Sequence, residues 1–470
     1  MIRLTFVART RRVALWLTAL LFVALPFAAV VHAAPDLIAV GSVSGTYEDF
    51  ATETAPPLEN GIPGNRLGGI GSGLAYAGGN TFLGLPDRGP NAKAYNSAVD
   101  DTTSYIVRFH TLNLSLAPSD PGSALPFTLT PMLVDTTLLS SEAPLVYGTG
   151  AGVGLNSGAP ALNAVDSTHY FTGRSDNFDP SQPSTNPLNA RLDPEGIRIA
   201  NDGRSLFVSD EYGPYVSEFD RRSGRRLRVF TLPAKFAVSR LSPVGADEIS
   251  GNTSGRVANK GMEGLAITPD GKKLVGIMQN SLIQDGGSTV RIVAIDLRSG
   301  RTREYAYTLT TGSGVSEILA VNDHQFLVDE RDGKGLGDGS IAKVKQIFLI
   351  DLNGATDVSG IAGEANLAPN AVAKTLFLDV VAVLNAHGIA SNKIPAKIEG
   401  LAFGQDVVMG GRTKHTLYVA NDNDYNATFG GLDNPNAWFV FAFDDTDLPG
   451  FVPRQLKNDD DERDHRDDDR

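Results

Sequence analysis

Asp193-Pro194-Glu195-Gly196-Ile197, followed across a tight Asp202-Gly203 turn by Leu206-Phe207-Val208-Ser209-Asp210-Glu211-Tyr212-Gly213, is the stretch that decides the fold. It reads as a turn carrying a carboxylate, an apolar strand, a two-residue turn, a second apolar strand and two more carboxylates. Strands of this length bounded by Asp-Gly punctuation are the mark of a β-hairpin.

Working outward, the same unit returns along the chain. A first copy is Gly71-Ser72-Gly73-Leu74-Ala75-Tyr76 with Thr81 to Gly89, and its outer strands are read at Tyr105–Phe109 and Phe127–Leu129. The opening stretch continues through Tyr215–Asp220 and Leu227–Thr231. A third copy starts at Met262-Glu263-Gly264-Leu265, turns at Asp270-Gly271 and runs to Thr308. A fourth is Val315–Ala320 and Phe326–Asp332, with Gln346–Asp351 and Lys374–Asp379 outside it. A fifth is Ile398-Glu399-Gly400-Leu401 with Thr416–Asp424 and Trp438–Phe443. One short helix is expected at Val380–Ala386.

Four antiparallel strands per unit, repeated around a ring, describe an all-β protein built as a β-propeller. A β-sandwich array would not explain one four-strand period throughout. The fifth unit lacks a fourth strand, and Leu37–Val43 has no unit of its own; pairing the two would close the ring and remove exposed edges. Met132–Arg191 is long enough for another unit, although only His169–Arg174 reads as a strand. Six blades are expected, with five and seven left open.

The ends differ from the middle. Arg3, Arg9, Arg11 and Arg12 precede an apolar run from Val13 to Val31, and Val31-His32-Ala33 has a peptidase-type cleavage pattern. This reads as a secretory signal peptide over residues 1–33 and implies a periplasmic or secreted protein with no membrane span after cleavage. Thr10-Arg11-Arg12 faintly resembles a twin-arginine signal. The propeller is assigned to residues 34–455 and a disordered acidic tail to 456–470, where Asp459–Arg470 carries eight acids and three arginines. Removing the leader takes the formal charge from −13 to about −17. That balance argues against nucleic acid as a partner, since phosphate neutralisation needs clustered Lys and Arg. With no cysteine, neither disulfides nor thiol chemistry contribute.

Hairpin geometry locates the chemistry. A Glu opens the first strand of most units and an acid or Asn closes the second, so both lie at one end of each hairpin. In a propeller the first strand is innermost, which places Glu195, Glu263, Glu317 and Glu399 around the mouth of a central channel. Asp87, Asp210, Glu211, Asn280, Asp329, Glu330, Asn421 and Asp422 are expected beside them. So many carboxylates need protons, basic partners such as Arg88, Lys260 and Arg331, or divalent cations. Oxygen-only ligands at this density suit Ca²⁺, and Asp422-x-Asp424-x-Asn426 has the spacing of half a calcium loop. No nucleophile elbow, zinc spacing or phosphate loop is present.

At Asp193–Gly196, Ser209–Gly213, Met262–Ala266, Asn421–Asp424 and Asp87-Arg88-Gly89 the chain resembles the phytase-like family, "esterase-like activity of phytase". The resemblance covers roughly residues 68–443. It implies a secreted or periplasmic propeller that hydrolyses phosphate or other esters, with ions clamping a small anionic substrate. Glu195, Glu263 and Glu399 are then the candidate catalytic groups. Together with Asp210, Glu211, Asp422 and Asp424 they are the candidate metal ligands, and Arg88 and Lys260 would hold the substrate. Lactonase-like or carboxylesterase-like hydrolysis is the near alternative. A non-catalytic propeller that binds an envelope component, with structural calcium, is the competing class. Unit one has Ser72-Gly73 in place of Glu-Gly, and unit four lacks the Gly, so the site should be asymmetric.

Overall fold

The structure is a computed structural model and describes Met1, residues 35–91 and residues 94–456. The expected signal peptide, and the acidic tail beyond Leu456, lie outside the described residues.

Five antiparallel blades of four strands, the fifth carrying a short extra strand at Val407–Met409, make up most of the described chain. Blade 1 is Gly73–Gly78, Thr81–Leu85, Arg108–Pro118 and Phe127–Leu138. Blade 2 is Pro194–Ile199, Ser205–Asp210, Tyr215–Asp220 and Arg226–Thr231. Blade 3 is Met262–Ile267, Lys273–Met278, Thr289–Asp296 and Thr302–Thr308. Blade 4 is Gly314–Ala320, Gln325–Arg331, Lys345–Asp351 and Lys374–Asp379, after which Val380–Ala386 forms the expected helix. Blade 5 is Lys397–Phe403, Arg412–Asp422 and Asn436–Phe443, completed by Asp36–Val43 from the start of the chain.

Sequence explains the gradient from axis to rim. Pro194–Ile199 and Met262–Ile267 are buried at every residue, whereas the outermost Arg226–Thr231 buries only Phe230. Strands covered on both faces are continuously buried; rim strands alternate. Turns repeat as well. Asp220 and Asp296 each accept the backbone N–H of Ser223 and Ser299, at 2.8 and 2.7 Å, and the following Gly224 and Gly300 take positive φ.

Each inner strand packs against those of the blades before and after it, and blade 5 returns to blade 1. The glycines of the Glu-Gly repeat make this approach possible. A Cβ on Gly73 would lie 2.5 Å from the Glu195 carbonyl oxygen, and one on Gly196 2.6 Å from Leu265 Cβ. On Gly264 it would meet the Ile318 nitrogen at 2.6 Å, and on Gly400 the Gly71 oxygen at 2.8 Å. The ring therefore closes with five blades, where six were favoured and five allowed. Residues 139–192 form no blade. They contribute a two-stranded ladder, Ser140–Ser141 with His169–Tyr170, and the helix Leu162–Asp166. Phe171, Leu145 and Leu192 pack this excursion onto blades 1 and 2. It also captures Tyr105–Val107, because Val107 bonds Phe171 and Leu139, so the third strand of blade 1 starts at Arg108 rather than Tyr105.

Candidate functional site at the channel mouth

The site is built by one register irregularity repeated in four blades. Pro194 pairs with Asp210, Met262 with Met278, Val315 with Glu330 and Ile398 with Asn421, and directly afterwards each inner strand bulges. A bulge re-aims the extra residue. Here the residues so placed are Glu195, Glu263, Ser316 and Glu399, with Ser72 at the matching place in blade 1. The next residue of each second strand gives another circle: Asp87, Glu211, Gln279, Arg331 and Asp422.

Most of these groups line a cavity of about 380 Å³, together with Arg88, Asn91, Asn259, Lys397 and Asp424. Of the expected site residues, Glu195, Glu211, Glu263, Glu399, Asp422, Asp424 and Arg88 are brought together there. Asp210 is not. Its carboxylate accepts the backbone N–H groups of Asp193, Tyr212 and Gly213 at 3.1, 2.9 and 3.0 Å, and so shapes the turn that presents Glu211. Lys260 does not line the cavity either. Asn280 gives way to its neighbour Gln279. Asn421 accepts the Ala437 N–H at 2.6 Å, and Glu330 bonds Tyr307 and Lys374.

Blade 4 breaks the pattern by one position. Glu317 aligns with the glycines and Ser316 with the glutamates, so Glu317 turns away from the mouth. It accepts the N–H of Leu265 at 3.0 Å and pairs with Arg198 at 3.0 Å. Asp329, opposite Glu317 in the hairpin, is fully buried with neither oxygen hydrogen-bonded.

Charge sets the chemistry of the cavity. Seven acids and three bases line it. Arg88 pairs with the buried Asp193 at 2.8 Å and also contacts Asn259. Arg331 bonds Glu399 and lies 4.0 Å from Glu263. Lys397 holds Asp422 at 2.6 Å and Asp424 at 2.5 Å. Burial, then the neighbouring Glu263, Asp193, Glu211 and Asp87, drive the Glu195 carboxyl well above the usual carboxylate range. Burial and Glu211 do the same to Glu263. Burial and Asp193 push Glu211 up to about 7, and burial pushes Asp422 to about 7 against the pull of Lys397. Asp424 stays below its ordinary value because Lys397 overcomes its burial.

Among the described residues two carboxylate trios share Glu195: Asp87, Asp193 and Glu195, and Glu195, Glu211 and Glu263. Within each, oxygens lie within 4.8 Å of one another. Asp193 is already engaged by Arg88. The second trio has an open acceptor, since Glu263 Oε2 is buried without a hydrogen-bond partner. Its hard oxygen donors fit a divalent cation such as Ca²⁺. Asp193 and Lys397 were missed as site residues in the sequence; each stands two residues before the Glu of its inner strand, a spacing that could have drawn attention to both.

Fold and site define a β-propeller with an acidic channel mouth. The chain belongs to the phytase-like family, "Esterase-like activity of phytase", whose model matches residues 65–425. A relative in Arthroderma benhamiae, named only as an uncharacterized secreted protein, is 31% identical over 287 residues, covering 53% of each chain. The chain thus spans about half the length of that relative. Among solved structures, the periplasmic gluconolactonase of Pseudomonas aeruginosa is similar at 12% identity and a TM-score of 0.35, covering 88% of this chain and 100% of that one. Hydrazine synthase of Kuenenia stuttgartiensis is similar at 12% identity and a TM-score of 0.30, with 76% and 78% covered. Likenesses at these scores carry no argument about activity. No helix among the described residues is long and apolar enough to cross a membrane.

Proposed function

We propose that the chain is an exported hydrolase of phosphate esters that uses calcium at the mouth of the channel. The observation that carries this reading is the buried trio Glu195, Glu211 and Glu263, facing Arg88 and Arg331 across one cavity. With seven acids against three bases, the lining repels a phosphate dianion unless divalent cations enter. Glu195, Glu211 and Glu263 would hold such an ion, with Glu399, Asp422 and Asp424 at the opposite side. A bound Ca²⁺ supplies charge neutralisation and Lewis-acid polarisation of an ester oxygen. Arg88 and Arg331 would orient the substrate's anionic oxygens. Export rests on the arginine-then-apolar leader and on the likeness to the Arthroderma benhamiae protein, which is named as secreted.

One observation favours a second reading, hydrolysis of lactones or carboxylic esters. Arg88, Arg331 and Lys397 are each already paired with a carboxylate, and a neutral ester demands no further cation. The deciding experiment measures turnover of p-nitrophenyl phosphate, phytate, acyl esters and lactones with Ca²⁺ and then with EDTA. Phosphate release that EDTA abolishes supports the proposal, and turnover of esters or lactones alone selects the second reading. If nothing turns over while Ca²⁺ still raises the melting temperature, the ion is structural and the propeller is a binding module.

A further inference from the structure

The inner strands run in one direction, so the ends opposite the acidic mouth meet in a second chamber. It is lined by Tyr76, Ile267, Leu319, Ala402 and Phe403 from four blades, and by Arg198 of blade 2. The segment after blade 5 crosses this end. Phe451 packs at a tilt against Phe403 with ring centroids 4.5 Å apart, the Val452 N–H donates to the carbonyl of Val321, just after the inner strand of blade 4, at 2.9 Å, and Arg454 reaches blade 2. There Arg454 bonds Asn201 Oδ1 at 2.8 Å and the Ile199 carbonyl. The space is about 90 Å³, and its wall is mainly apolar.

Charge in this chamber is the reverse of that at the mouth. Arg198 is buried and reaches the carbonyls of Leu74 and Ile318 at 2.8 and 3.0 Å, with Glu317 as its one acidic partner. Its Nε is buried without a hydrogen-bond partner. Arg454 lies near Arg198 and, among the described residues, bonds only neutral oxygens. Glu317 neutralises Arg198, and the guanidinium of the half-buried Arg454 is left without a carboxylate partner among the described residues. Asp406 on the rim is already bonded to His415 at 2.8 Å. Burying a cation without a counter-charge is costly, and an anion with an apolar body would satisfy both the charge and the wall.

We propose that this chamber at the far end of the channel, with Arg198 and Arg454 facing an apolar wall, binds a small aliphatic carboxylate. The volume admits a ligand of about six heavy atoms, taking roughly 15 Å³ of such space for each. Butyrate is the probe. The site is separate from the acidic mouth and does not depend on the reaction proposed there.

The test is thermal unfolding of the full chain against butyrate, with butanol and sodium chloride as controls, alongside calorimetric titration. Butyrate is expected to raise the melting temperature saturably, while butanol and chloride at equal concentration do not. Arg454→Gln, which retains hydrogen-bonding capacity toward Asn201, should weaken butyrate binding about tenfold or more. Ala320→Phe, which fills the chamber, should abolish it. No saturable butyrate effect on the wild type overturns the proposal. So does an Arg454→Gln protein that folds and binds butyrate as well as the wild type does.

Discussion

Arg88 Nη1 lies 2.8 Å from Asp193 Oδ2, joining the end of the second strand of blade 1 to the entrance of blade 2 with both side chains almost out of water. Arg88 also donates its backbone N–H to Asp193 at 3.2 Å, so the two residues are fixed at two points. Removing the guanidinium leaves a buried carboxylate uncompensated. Arg88→Ala should therefore lower stability by about 3–5 kcal/mol. Urea unfolding of the two proteins measures it, and a loss under about 1 kcal/mol would show that water reaches Asp193 in the native state.

Calcium binding, if it uses the buried trio, should depend on Glu263 more than on Asp210. A site filled at 100 times its dissociation constant stabilises the fold by about 2.7 kcal/mol. Glu263→Gln is expected to lose most of the calcium-induced rise in melting temperature and any calcium-dependent turnover. Asp210→Asn should retain the calcium response, since its oxygens serve backbone N–H groups. An intact response in Glu263→Gln rules the trio out.

The inter-blade glycines make a steric prediction. Gly196→Ala would set a methyl 2.6 Å from Leu265 Cβ and 2.7 Å from its nitrogen, against backbone that cannot retreat without opening the ring. A cost of about 1–3 kcal/mol is expected. Gly360→Ala, with no atom within 4 Å of the new methyl, serves as the control. Equal melting temperatures for the two variants would refute the close approach.

His415 offers a test of pH dependence away from the candidate site. Burial pulls its imidazole down, but Asp406 at 2.8 Å and Asp445 at 3.0 Å outweigh this and leave it above the ordinary histidine value. A histidine raised in the folded state contributes stability that is full below its unfolded value, near 6.5. That contribution is lost as pH rises through the folded value. His415→Gln should therefore flatten the fall in stability from about pH 6.5 upward. An NMR titration midpoint at or below that of a free histidine would contradict the assignment.

Much of this architecture could be read from the chain because the repeat is local. Hairpins announced by Asp202-Gly203 and Asp270-Gly271 need only their own residues, and the orphan strand near the start matched the missing strand of blade 5. What could not be read depended on registers and on contacts between blades. The bulge decides that Ser316, not Glu317, takes the register position of the other blades' glutamates, and no spacing reveals a bulge. Asp210 looked like a ligand because it neighbours Glu211, yet alternation along the strand sends the two in opposite directions. Lys397 owes its place in the site to Asp422 and Asp424, which the hairpin of blade 5 brings onto its ammonium group. The excursion over residues 139–192 was long enough for a blade, but too poor in alternating apolar residues to form one.

The pairing of Asp36–Val43 with Asn436–Phe443 also governs the order of assembly. The two strands stand about 400 residues apart, so their encounter is the most distant one in the fold and should be slow. Blades 1 to 4 can each form from contiguous chain, while blade 5 must wait for the first strand to find the last. Closure of the ring is thus the one step that no contiguous stretch of the described chain can complete by itself.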